Sequence, residues 1–289
     1  MKGIFQKAPY NRFEEFISPG AGRFTLLCSV LEASALPYRT VNVAGNRHIF
    51  VQPAANLGNT VLTAHYDRTG GSPGANDNSA AVFMLIEAAL GMRAAARPGP
   101  LFIFTDKEEL SNGEGLKEQG AYSLALYLKD KGLANPRIYC FDACGSGDTL
   151  VISTAADHLL RDEIKLGAAV VRRRVQELRS AALEAAREAR LEKVLLLPTP
   201  FSDDGGFLRA GLPAQTVTVL PALEAAAFAS LVRTRPEAAA ALVSSSASMP
   251  DKLIPETWRS LNGPGDSLLR LTPEHWKRVT AFAAALGGV

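Results

Sequence analysis

Short runs of Val, Ile, Leu and Phe, several of which stop abruptly at a histidine or an acid, recur along this chain and constrain its fold more than any other feature. His48–Gln52, Thr60–Ala64, Leu101–Thr105, Arg137–Phe141, Leu150–Ser153 and Gln215–Leu220 each read as a buried strand bounded by turn residues. Between most of them lie helical patterns: Asn78–Met92, Leu116–Lys131 and the long amphipathic Arg161–Leu191. In the last of these, Val171, Val175, Leu178, Ala182 and Ala185 fall at helical spacing while arginines and glutamates fill the other face. That is the pattern of a surface helix with one packed stripe. Strands alternating with helices predict an α/β chain whose mostly parallel or mixed sheet is covered on both faces.

Of the 289 residues, 47% are hydrophobic and 21% charged, enough to build a large core, and no Pro/Gly/Ser-rich linker divides the chain. The expectation is one domain over residues 1–289. The alanine-rich Ala225–Ala241 and the polar Ser244–Ser248 read as a helix and loop within a long stretch, 221–259, with room for a lid or a contact between copies of the chain as a homo-oligomer. A formal net charge of +2 excludes a charge-led nucleic-acid function, and the Arg172–Arg174 cluster is diluted by Glu177, Glu184 and Glu188. No apolar run has the length of a membrane span, and the N-terminal stretch lacks the apolar segment of a secretory signal. Three cysteines, Cys28, Cys140 and Cys144, suit a reducing compartment better than a disulfide scaffold, so a cytoplasmic location is expected.

Ligands of such folds gather where strands end. After the run ending at Ala64 comes His65-Tyr66-Asp67, then Gly74-Ala75-Asn76-Asp77-Asn78 at the mouth of a helix. Asp106-Lys107-Glu108-Glu109 follows Thr105, Asp142 follows Phe141, and Ser202-Asp203-Asp204 precedes Gly205-Gly206. A borderline metal such as zinc takes imidazole nitrogen and carboxylate oxygen, and a pair of such ions needs one bridging carboxylate. His65, Asp77, Glu109 and Asp142 meet much of that demand. Asp67 is placed to fix the tautomer of His65 through the other ring nitrogen. Glu108 is then a spare carboxylate able to take a proton from an attacking water. Taken singly, Asp77 or Asp142 reads as a helix cap or turn residue; together, at the ends of apolar runs where an unpaired charge is costly, they read as metal-assisted hydrolysis. Cys140 and Cys144 flank Asp142, but soft thiolates do not belong in a carboxylate set, and both read as small buried residues.

These segments, with Phe207, Gly211, Leu212, Pro213 and Ala214, resemble in order and spacing the co-catalytic zinc aminopeptidases of peptidase clan MH, whose relatives include the glutaminyl cyclases. The resemblance covers residues 60–267. It implies a three-layer sandwich of the zinc-dependent exopeptidase type, with a mixed, mostly parallel sheet of about eight strands flanked by helices. It also implies two zinc sites: His65 and Asp142 on the first ion, Asp77 bridging, Glu109 on the second, Glu108 as general base with Asp67 beside the catalytic centre, and Ser202, Asp203 and Tyr66 at the substrate. One departure stands out. The family closes its site with a His-Thr-x-x-Asp segment, and here that stretch is Asn262-Gly263-Pro264-Gly265-Asp266, so Asn262 stands in the place of the second ion's last ligand. An amide oxygen is a weaker zinc donor than imidazole, which weakens that site. His275 reads as part of a helix start, and His48 and His158 are given no function.

The leading expectation is a metal-dependent aminopeptidase acting on peptides. Two alternatives accompany it: a metal- or peptide-binding homologue that lost turnover through Asn262, and a glutaminyl-cyclase-like acyltransferase, which would need the missing histidine.

Overall fold

The computed structural model describes residues 3–53, 57–93, 99–133, 135–160, 166–243 and 250–288. An eight-stranded sheet runs through it in the order β1-β2-β4-β3-β5-β8-β6-β7. The strands are β1 (Tyr38–Val43), β2 (Asn46–Val51), β3 (Leu57–His65), β4 (Gly99–Thr105), β5 (Arg137–Phe141), β6 (Thr149–Ser153), β7 (Val194–Leu197) and β8 (Ala214–Leu220). β4, β3, β5 and β8 are parallel neighbours, as are β6 and β7; β1 with β2, β2 with β4, and β6 with β8 are antiparallel.

Side-chain alternation along these strands sorts the core into two layers. Leu62, Ala64, Phe102, Phe104, Tyr139 and Phe141 face the helices Ala80–Arg93 and Trp276–Gly288, whereas Val61, Leu101, Ile103, Ile138 and Cys140 face the helix Gly120–Asp130 and Phe207. The helix Ala80–Arg93 thus joins β3 to β4 on one face, and Gly120–Asp130 joins β4 to β5 on the other. The carboxyl ends of β3, β4 and β5 therefore lie at the crevice where the chain changes faces, the position where such folds bind ligands.

The six expected strands are present. β1 and β7 lie outside the six expected strands: β1, at one sheet edge, mixes polar and apolar residues and is half exposed, whereas β7, at the other edge, is an apolar run of only four residues, too short to tell from a helix segment. β1 turns into β2 through Ala44 and Gly45, both at positive φ, a two-residue hairpin turn. The long amphipathic helix spans Leu166–Glu188, residues 161–165 lying outside the described ones. Its expected stripe, Val171, Val175, Leu178, Ala182 and Ala185, is buried, and each Val or Leu removed from water is worth roughly 1.5–3 kcal/mol. The alanine-rich stretch is two helices, Ala222–Thr234 and Pro236–Val243, not one. Pro236 has no N–H to continue the first helix and is suited to start the second. Ser244–Ser248 lies outside the described residues. No helix among the described residues is long and apolar enough to cross a membrane.

Candidate metal centre

His65 is the last residue of β3, paired in register with Thr105, and is fully buried. Its Nε2 lies 3.0 Å from Asp77 Oδ1, 3.7 Å from Asp142 Oδ1 and 4.0 Å from Glu108 Oε2. On the other side of the ring, Nδ1 lies 3.3 Å from Asp67 Oδ1. Asp67 also accepts the backbone N–H groups of Glu108 at 3.2 Å and Glu109 at 3.0 Å, so the carboxylate that faces the second ring nitrogen also holds the loop after β4.

Asp77 reaches the ring because the loop before its helix doubles back. Gly74 sits at φ 63°, and a Cβ there would come within 2.8 Å of the Asp77 carbonyl oxygen. Arg23, buried beside this loop, donates to the carbonyls of Asp67 and Gly74 and to the hydroxyl of Ser79. From the opposite side the carboxylate of Asp266 receives the N–H of Asn76. Asp142 follows β5 and donates its own N–H to the carbonyl of Val217 on β8. Each acid is thus aimed by backbone hydrogen bonds, none by its sequence neighbours alone.

The electrostatics are those of crowded, buried carboxylates. Burial pushes Asp77 up to about 6, with Asp142 adding to the effect, and Glu109 up to about 7, with Asp77 adding to it. Glu108 is held well above the usual carboxylate range by burial and by Asp142, Asp77 and Asp203, against the opposing influence of His65. Burial opposes the charged form of His65, but Asp142, Asp67 and Asp77 outweigh it and raise its pKa. His65 Nε2, Asp77 Oδ1 and Asp142 Oδ1 are buried with no hydrogen-bond partner among the described residues. Leaving such atoms unpaired is costly, and a divalent ion would satisfy all three at once. The ligand atoms of His65, Asp77 and Asp142 lie within 4.8 Å of one another, as do those of His65, Glu108 and Glu109. The donor set fits a divalent ion.

Other expected residues lie less directly at the centre. Tyr66 turns its hydroxyl to the carbonyl of Arg47 at 2.8 Å and its ring towards Phe24. Ser202 and Asp203 are buried at the start of the helix Asp203–Arg209, and Asp203 accepts the Thr105 hydroxyl at 2.5 Å. Cys140 packs in the core, and the Cys144 thiol donates to the carbonyls of Asp142 and Val217, both at 3.5 Å. Neither cysteine belongs to the two groups able to hold an ion among the described residues. Asn262 lies against Glu109 rather than beside His65: with its amide nitrogen turned inward, the orientation in which both amide atoms find partners, it meets Glu109 Oε1 at 2.7 Å and Oε2 at 3.0 Å. His48 is buried and its Nδ1 accepts the Asp106 N–H. His275 ends a short 3-10 turn leading into the last helix.

Sequence reasoning did not single out Gln119, whose side-chain amide donates to Glu108 Oε1 at 3.1 Å, or Arg23 and Thr69. It also missed a pocket beside Asp142 lined by Ala143, Thr199, Phe201, Thr218, Trp258 and Leu261. Trp258 belongs to the 221–259 stretch and packs edge-on against Phe228 of the same stretch.

The fold is similar to that of BSAP, a zinc aminopeptidase from Bacillus subtilis, at 19% identity and a TM-score of 0.53, over 83% of this chain and 48% of that one. It is similar also to the LapA aminopeptidase of Legionella pneumophila, at 14% identity and a TM-score of 0.61, over 96% of this chain and 67% of that one. A glutaminyl cyclase of Porphyromonas gingivalis matches at 13% identity and a TM-score of 0.60, over 96% of this chain and 94% of that one. The chain spans about half the length of the Bacillus enzyme. No curated protein sequence matches it. Residues 50–236, more than half of the chain and including His65, Asp77, Glu108, Glu109 and Asp142, match the sequence model of peptidase family M28, and the chain belongs to that family.

Proposed function

We propose that this chain is a zinc-dependent aminopeptidase whose ion is held by His65, Asp77 and Asp142, with Glu108 as general base. The observation that carries the reading is the convergence of three buried side-chain atoms, without hydrogen-bond partners among the described residues, within 4.8 Å of one another, with Glu108 Oε2 4.0 Å from the same ring nitrogen. When bound, the ion would polarise the scissile carbonyl and lower the pKa of the attacking water.

The remaining work falls to the chain. Glu108 accepts a proton from the attacking water and passes it to the leaving amine, a role worth about 10² to 10⁴ in rate. Gln119, donating to Glu108 Oε1, holds that carboxylate in place. Asp67 fixes His65 with Nε2 turned to the ion. The pocket walled by Phe201, Trp258 and Leu261 receives the side chain of the N-terminal residue.

Aminoacyl anilides and short peptides, free and N-acetylated, test the reading. Hydrolysis of the free-amine substrates that a chelator abolishes and zinc restores is the expected result. Failure of the zinc-loaded protein on every substrate would remove it. Cyclisation of an N-terminal glutamine with loss of ammonia, without hydrolysis, would replace it.

A further inference from the structure

Glu109 differs from Asp77 and Asp142 in one respect: both of its carboxylate oxygens are already engaged. The Thr69 hydroxyl donates to Oε2 at 2.8 Å, and the Asn262 amide nitrogen meets Oε1 at 2.7 Å, Oε2 at 3.0 Å and Thr69 Oγ1 at 2.8 Å. His65 Nε2, Asp77 Oδ1 and Asp142 Oδ1 have no such partners among the described residues. An amide nitrogen has no lone pair to give an ion, so a side chain in this orientation satisfies Glu109 without ligating anything.

We propose that Asn262 and Thr69 form a hydrogen-bonding cap on Glu109 that stands in for a second ion, so that the chain holds one divalent ion, on His65, Asp77 and Asp142. The inference rests on the metal reading above and deepens it. Two further observations support it. Among the described residues, both groups of side chains able to hold an ion include His65, whose Nδ1 faces Asp67, which leaves one nitrogen for one ion. The cap is also held in place: Asn262 takes a left-handed backbone, φ 61°, the turn after it closes with the Asp266 N–H on the Gly263 carbonyl, and Asp266 grips the loop that carries Asp77. The amide is therefore fixed to the metal centre by its own turn.

The test is the ion count. Metal-stripped wild type, Asn262→His and Asn262→Asp are titrated with zinc by calorimetry, and zinc per chain is counted by elemental analysis after desalting. A left-handed backbone suits Asn, Asp and His better than other side chains, and Asp is nearly isosteric with Asn, so the Asp variant in particular is expected to fold. One ion in the wild type and two in these variants is the expected result. Glu109→Gln, which leaves position 262 untouched, should still bind one ion within about tenfold of the wild-type affinity, the low end of the 10- to 100-fold loss expected when an outer partner of a ligand is removed. Two ions in the wild type, loss of the single ion on Glu109→Gln, or no second ion in either variant at 262 would each overturn the cap. No ion in the wild type would remove the metal reading itself, and the cap with it.

Discussion

The carboxylate of Asp266 receives the backbone N–H of Asp77 at 3.0 Å across 189 residues of sequence, and through its other oxygen the N–H of Asn76 at 2.7 Å. A carboxylate whose own main chain is held to a distant acid cannot drift without breaking both bonds. Asp266→Ala should weaken zinc binding by about 10- to 100-fold, the usual cost of removing a partner that orients a ligand. Calorimetric titration of the variant checks this, and unchanged affinity would show that the loop holds Asp77 unaided.

Glu108, mostly buried beside His65, is the base in the proposed reaction. Glu108→Gln keeps the shape and the contact region of Gln119 while removing the base. Turnover should fall by about 10² to 10⁴, with zinc content and KM nearly unchanged. A variant with wild-type turnover would move the base elsewhere.

Behind the centre, burial pushes Asp203 and Asp204 up to about 7 each. In an unfolded chain they titrate near about 3.9. Between these values the folded chain holds protons that the unfolded chain has lost, so the fold is favoured at low pH and stability is lost as pH rises through about 7. The raised pKa of His65 acts in the same direction, since its extra proton is also lost at higher pH. Without metal, the melting temperature should therefore be higher at pH 5 than at pH 8, and the difference should shrink in Asp203→Asn. Thermal melts in chelator at the two values decide it; a higher melting temperature at pH 8 would contradict the assignment.

Phe201, Trp258 and Leu261 wall the pocket beside Asp142. Phe201 is only partly buried, so Phe201→Ala enlarges the pocket with modest loss of stability. The ratio of kcat/KM for large over small N-terminal side chains should rise by about tenfold or more, the scale of discrimination an apolar pocket gives. A ratio unchanged across a series of aminoacyl anilides would place the side chain elsewhere.

The strands and the acids that follow them were legible in the sequence because one physical rule governs both. A short apolar run bounded by turn residues must be buried and pairs as a strand, and the polar residues after it stand at the strand's carboxyl end. His65 after Ala64, Glu108 and Glu109 beyond Thr105, and Asp142 after Phe141 all obey that rule. β1 escaped it because an edge strand needs little hydrophobicity to pair, and β7, wholly apolar, because four residues are too few to tell a strand from a helix segment. What the tertiary structure alone decided is where side chains point and which distant groups meet them. The hydroxyl of Tyr66 turns to Arg47, Asp203 lies buried under Thr105, and Asn262 meets Thr69 from 193 residues away. Local pattern carries the alternation of a strand and the place where it stops. The partner of a buried polar atom is chosen by hydrogen-bond satisfaction across the whole fold, and no spacing along the chain encodes it.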